Sequence, residues 1–153
     1  MLDEMLFLQP GHLIRRAHQL AWAVFMEEVK DFDLTPVQYS TLLVISMNPG
    51  IDATRLSDLV SFDRATIGNV VERMENKGLI LRKVGLKDRR TKNMSLTPRG
   101  DKIVARVKPL APKIADHILH RLTAPERKQL LELLGKLVDI QQVTQPSPKS
   151  ASR

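Results

Sequence analysis

Arg64, Ala65, Thr66, Asn69 and Arg73 lie within one short stretch of the chain. Ile67, Val70, Val71 and Met74 are interleaved with them at three- and four-residue steps. On a helix that spacing gathers the apolar set on one face and turns the other five outward. The outward types suit the edges of base pairs. A guanidinium pairs with guanine, a carboxamide with adenine, and a small methyl-bearing side chain packs on the thymine methyl. By itself the pattern also fits an ordinary amphipathic helix with a polar surface. The surrounding charge separates the two readings. Residues 77–102 carry nine Lys and Arg (Lys77, Arg82, Lys83, Lys87, Arg89, Arg90, Lys92, Arg99 and Lys102) against two Asp, a net of +7. Residues 1–51 carry a net of −3, so the positive charge is concentrated next to the amphipathic helix. Such a stretch suits a phosphate backbone better than a merely solvated face.

Helices, turns and a hairpin must position these groups. Gly11 to about Phe32 is expected to form a long helix, apolar nearly all round from Leu20 to Met26. A lone small domain does not cover such a helix, which points to burial by a second copy of the chain. Thr35-Pro36-Val37-Gln38 is a capping box with proline in the first turn, and Asn48-Pro49-Gly50 stops the helix it begins. Asp52 caps a short helix whose core face is Leu56 and Leu59. Ser61-Phe62-Asp63 turns the chain, and Asp63 caps the amphipathic helix, which Gly78 closes. Leu79–Val84 and Asn93–Leu96 read as two strands, with Gly85–Lys92 as the loop between them. A long helix follows Thr97-Pro98, kinked or split by Pro109 and Pro112. A last capping box, Thr123-Ala124-Pro125-Glu126, opens a helix whose apolar side is Leu130, Leu131, Leu133, Leu134, Leu137 and Val138. From Thr144 onward the composition is that of a disordered tail.

The fold expected is therefore mainly α with a small β-hairpin wing. Residues 35–100 form a winged helix-turn-helix lobe, residues 1–34 and 101–143 a helical dimerisation region, and residues 144–153 the tail. Four motifs sharpen this. They are Asp63-Arg64-Ala65-Thr66, Glu75-Asn76-Lys77-Gly78-Leu79-Ile80, Asp88-Arg89-Arg90 and Leu96-Thr97-Pro98-Arg99-Gly100. In this order and spacing the run from Leu56 to Gly100 resembles the MarR family of bacterial regulators, and the flanking helices fit as well. The resemblance implies a homodimer with two winged helices on a pseudo-palindromic operator. It also implies that Arg90 enters the minor groove, where a guanidinium meets an enhanced negative potential. Asp88 would then hold the wing arginines, although a plain turn residue reads the same way. Lys87 and Arg89 complete the DNA-facing wing.

Many members of that family are repressors released by a small aromatic acid. The Gly11–Arg16 start resembles members that control aromatic-compound degradation. His12, Arg15, Arg16, Gln19 and Trp22 on the first helix, with Gln38 and Tyr39 on the second, offer cations beside aromatic rings. Such a set holds a carboxylate or thioester-linked aromatic. Of the two arginines, Arg16 shares a face with Gln19 and is expected to point inward. Intersubunit ion pairs and plain core packing are the alternatives. His117 and His120 beside Asp116 lack a third placed ligand, so no metal is expected, and no cofactor. The chain has no cysteine, no Gly-rich phosphate loop and no nucleophile motif, so catalysis is not expected. Absence of a basic leader and of a long apolar run fits a cytoplasmic protein. Two other functions share these features: a structural DNA-binding protein without a ligand, and a winged helix used for protein contacts.

Overall fold

The computed structural model describes residues 7–84 and 92–138. The described residues fall into two compact units, one ending at Ile118 and the other starting at Leu119. The wing tip, the tail from residue 144 and the last residues assigned to the dimerisation region lie outside the described residues.

In the first unit α1 (Pro10–Glu28) opens on a proline in its first turn. The sequence pattern extends this helix to Phe32, but it ends at Glu28. Lys30–Phe32 forms a 3₁₀ turn, and Asp33 takes a left-handed conformation (φ 50°) that redirects the chain. Asp reaches that region more readily than bulky residues do. α2 (Pro36–Met47) starts on the expected capping box. The Thr35 hydroxyl accepts from the Gln38 amide, and the Gln38 side chain accepts from the Thr35 amide. α3 (Ala53–Val60) and α4 (Arg64–Asn76) follow, each capped by an aspartate, Asp52 and Asp63. β1 (Ile80–Val84) and β2 (Lys92–Leu96) pair antiparallel with Ile80 opposite Leu96 and Val84 opposite Lys92. Ile51 adds a bridge to Met94, which ties the start of α3 to the hairpin.

The long helix expected after Thr97 is split where the prolines fall. α5 (Pro98–Val107) passes through a 3₁₀ turn, Lys108–Leu110, into α6 (Ala111–Ile118). α2 lies at the centre of the unit and touches α1, α3, α4, α5 and β2. Leu42, Ile45, Leu56, Ile67 and Met74 are completely buried around it, with Leu79, Ile80 and Met94 beside them. The buried face of α4 is the predicted one, since Ile67, Val70, Val71 and Met74 all point into this core.

The second unit contains α7 (Ala124–Leu137), started by the Thr123–Glu126 capping box. Leu131, Leu133, Leu134, Leu137 and Val138 are all exposed in the single chain. On α1, Leu13, Ile14, Leu20 and Met26 are exposed as well, while Phe25, and Val29 just past the helix end, reach the core.

Two glycines set opposite limits. A Cβ on Gly100 would collide with the carbonyl oxygen of Leu79, a backbone atom with little freedom to move. A Cβ on Gly68, in the middle of α4, would meet nothing within 4 Å. Gly100→Ala should therefore lose about 1–3 kcal/mol of stability in urea unfolding, the usual range for overpacking. Gly68→Ala should gain roughly 0.5–1 kcal/mol from helix propensity. Equal effects of the two substitutions would contradict this packing.

Candidate nucleic-acid interface

The approach to α4 is fixed by local bonds. Ser61 turns the chain in the left-handed region (φ 57°). Asp63 then accepts from the Thr66 amide at 2.9 Å and from the Thr66 hydroxyl at 2.5 Å. These two bonds, the hydroxyl's foremost, hold the Asp63 carboxyl below its ordinary range. They also commit the Thr66 hydroxyl proton to the helix cap. Arg64, Ala65, Asn69 and Arg73 are exposed along the helix, and Thr66 is half-buried.

The far end of α4 is held more firmly. Gly78, in a left-handed conformation (φ 69°), donates to the Glu75 carbonyl at 2.8 Å. Leu79 donates to the Met74 carbonyl at 2.9 Å. This pair of hydrogen bonds is the glycine-dependent helix stop that the Lys77-Gly78-Leu79 run suggests. Thr97 then joins the start of α5 to the same point. Its amide donates to the Leu79 carbonyl at 3.0 Å, and its hydroxyl donates to the Gly78 carbonyl at 2.7 Å. Arg99 donates to the Lys77 carbonyl, and Lys77 Nζ reaches back to the Asp33 carbonyl and carboxylate. Beside this junction Arg82 of β1 pairs with Glu75 of α4 through Nε at 2.7 Å and through Nη2. The pair fixes the hairpin against the helix. It also holds the Glu75 carboxyl below its ordinary range, with the hydrogen bond to Arg82 the largest cause.

Lys87, Asp88, Arg89 and Arg90 lie outside the described residues. Lys92, at the base of the same hairpin, is exposed.

Next to α4 a cavity of about 280 Å³ opens. It is lined by Trp22 of α1, Val37 and Gln38 of α2, and Asn69, Val70 and Arg73 of α4. Of the seven residues singled out for ligand binding, Trp22 and Gln38 line it. Tyr39 packs on Phe25 with tilted rings, 5.8 Å between ring centres, and Phe25 itself lies in the core. Arg15, Arg16 and Gln19 are exposed on α1, His12 is half-buried, and Arg15 lies 3.3 Å from the His12 ring nitrogen. The cation in the cavity wall is Arg73, which the sequence pattern assigns to DNA alone. Helical spacing carries the missed signal: residues 66, 69, 70 and 73 share the flank of α4 that turns toward α1.

His117 is drawn into another arrangement. Its Nδ1 and Lys113 Nζ each lie 2.7 Å from the nearly buried carboxylate of Glu28, tying α6 to the end of α1. Among the described residues no group of three His, Cys, Asp or Glu is placed to hold a metal. No helix among them is long and apolar enough to cross a membrane.

The arrangement thus consists of two short helices joined by a tight turn, the second with a polar outward face, and a basic hairpin fastened to its end. Residues 34–92 match the MarR family model. The transcriptional regulator HosA of Escherichia coli O157:H7 is 31% identical over 128 residues, covering 84% of this chain and 93% of HosA. The chain belongs to the MarR family. Among solved structures, Bordetella bronchiseptica BpsR, described for the regulation of its DNA binding by 6-hydroxynicotinic acid, superposes with a TM-score of 0.82. It shares 30% identity and covers 87% of this chain and 95% of its own. The transcriptional repressor CouR, bound to a 23-mer DNA duplex, superposes with a TM-score of 0.78 at 28% identity, covering 85% of this chain and 92% of its own. Membership makes the protein a DNA-binding transcription regulator with a winged helix-turn-helix, and α4 is the second helix of that motif.

In this MarR-family chain the Glu75–Arg82 pair ties recognition helix to wing, and its charge state sets a pH dependence. The folded-state pKa of Glu75 lies below the unfolded value of about 4.3. The pair's contribution is therefore present above that value and lost as pH falls through the folded pKa. Both groups are partly exposed, so the contribution at pH 7 should be under about 1 kcal/mol. Glu75→Gln should lower the urea midpoint at pH 7, and the gap to the parent should shrink by pH 3. A gap of equal size at both pH values would show that the charge of Glu75 is not what fastens the wing.

Proposed function

We propose that the protein is a homodimeric repressor that reads a pseudo-palindromic operator and is released by a small aromatic acid or its thioester. The observation that carries this is the sharing of Asn69 and Arg73 between two sites. Both are exposed on the recognition helix, and both line the cavity that also holds Trp22 and Gln38. An aromatic ring suits the Trp22 wall, a carboxylate suits Arg73, and Gln38 supplies a directional polar contact. A ligand seated there acts on the reading helix without any intermediary. Release requires that it bind the DNA-incompetent arrangement better, since equal affinity for both shifts nothing. BpsR, whose DNA binding is regulated by 6-hydroxynicotinic acid, and CouR, a repressor bound to duplex DNA, support this reading.

The assignment of DNA contacts follows the same geometry. We assign the major-groove contacts to Arg64, Ala65, Thr66, Asn69 and Arg73, and the wing contacts, on the family resemblance alone, to Lys87, Asp88, Arg89 and Arg90, which lie outside the described residues. Thr66 contributes its methyl group, because its hydroxyl proton is committed to Asp63. We assign dimerisation to residues 1–34 and 101–143, where the exposed leucines of α7 and, in the first unit, the apolar face of α1 each offer a surface to a second copy of the chain. The protein acts in the cytoplasm and performs no catalysis.

The chain's single tryptophan makes the cavity directly observable. Titration with benzoate-, cinnamate- and nicotinate-type acids and their thioesters should quench Trp22 fluorescence. The acids that quench should also lower operator affinity, by roughly 5- to 150-fold for a coupling of about 1–3 kcal/mol. Gln38→Ala should weaken both effects and leave DNA binding in place, whereas Arg16→Ala should respond like the parent. Release of operator without a change in Trp22 emission, or loss of release in Arg16→Ala, would move the ligand site elsewhere. Arg90→Ala should weaken operator binding and reduce the slope of log affinity against log salt by about one for each phosphate charge no longer neutralised. An unchanged slope would remove Arg90 from the interface.

A further inference from the structure

The centre of the recognition face also holds a carboxylate, that of Glu72. The buried stripe of α4 is Ile67, Val70, Val71 and Met74. At roughly 100° per residue, Ala65, Asn69 and Glu72 all point within about 30° of the opposite direction. Glu72 is thus as squarely outward as the other two, which face the bases. It is exposed, and among the described residues it forms no ion pair. Arg82, the cation of β1, is committed to Glu75.

A carboxylate in the middle of a surface that approaches polyphosphate is costly without a donor to meet it. The local shape supplies room for that meeting. Side chains on a helix lean toward its N-terminus, so Glu72 reaches over the turn that contains Gly68 and Asn69. Gly68 has no side chain, and the space its Cβ would take is empty to 4 Å. The lane between Arg64 and Glu72, one row at four-residue steps, is therefore open for the Glu72 carboxylate.

We propose that Glu72 is a base-reading residue that accepts a hydrogen bond from the exocyclic amino group of a cytosine in the major groove. This rests on the operator-reading function above. Cytosine is the base chosen by a group that only accepts. Its major-groove edge offers the amino donor alone, whereas adenine sets an acceptor nitrogen beside its amino group. Guanine and the thymine carbonyl present acceptors, and these repel a carboxylate.

Selection of binding sites from a randomised inverted repeat, with the parent, Glu72→Gln and Glu72→Ala, tests this. The parent should prefer cytosine at one symmetric position of each half-site. Glu72→Ala should lose that preference, a loss of roughly 5- to 150-fold in discrimination at that position. Glu72→Gln should move it toward adenine, because a carboxamide both donates and accepts. Both variants should bind random duplex more tightly than the parent, since each removes an anion from the interface. Preference unchanged at every position in both variants, with or without a uniform change in affinity, would overturn the role of Glu72 and leave operator reading standing. A parent chain without base preference at any position would overturn both.

Discussion

The helix-turn-helix and its hairpin are held together at one junction of hydrogen bonds, at Gly78 and Leu79. The recognition helix ends there, the hairpin starts one residue later, and α5 is bonded back to the same two carbonyls through Thr97. Glycine is required at position 78 for its positive φ and at position 100 for the close approach to Leu79. Leu79 is buried, and a buried carbonyl left without a donor is expensive, so the Thr97 bond to it and the helix stop that places it depend on one another. Two motifs that look independent in the sequence, Lys77-Gly78-Leu79 and Thr97-Pro98-Arg99-Gly100, are the two halves of this one junction.

A rigid exit for α4 has consequences at its outward face. Base reading tolerates little misplacement, and a helix anchored at one end by a cap and at the other by the junction keeps its side chains in register. Asp63 provides the first anchor through Thr66, and the Glu75–Arg82 pair extends the second to the wing. With both ends fixed, the flank of α4 is where the proposed ligand would act. Trp22 and Gln38 bring α1 and α2 to that flank, where Asn69 and Arg73 already stand. Lys77 adds a further tie, from the junction to the left-handed Asp33 at the turn between α1 and α2.

Much of this is legible in the sequence because it follows from local chemistry. Capping boxes place the starts of α2 and α7, Asp52 and Asp63 place α3 and α4, and the apolar spacing of Ile67, Val70, Val71 and Met74 chooses the buried face. The strand boundaries agree within one residue. What escapes the sequence are consequences of tertiary structure. α1 stops short of Phe32 because of the turn through Asp33, which no apolar period records. The cavity draws its cation from α4 and not from α1, because only the packing of α1 against α2 reveals which flank of α4 stays uncovered. Glu72 is easily overlooked because a lone carboxylate amid basic residues looks like surface, until the empty space at Gly68 gives it a direction.

Native-state hydrogen exchange of single amides tests the junction most directly. The amides of Gly78, Leu79 and Thr97 should exchange only with global unfolding, with the same free energy of opening as those of Leu42 and Ile45 in the central helix. Exchange of these three through a low-energy local opening, while Leu42 and Ile45 stay protected, would contradict the account, because recognition helix and wing would then not be held by this set of bonds.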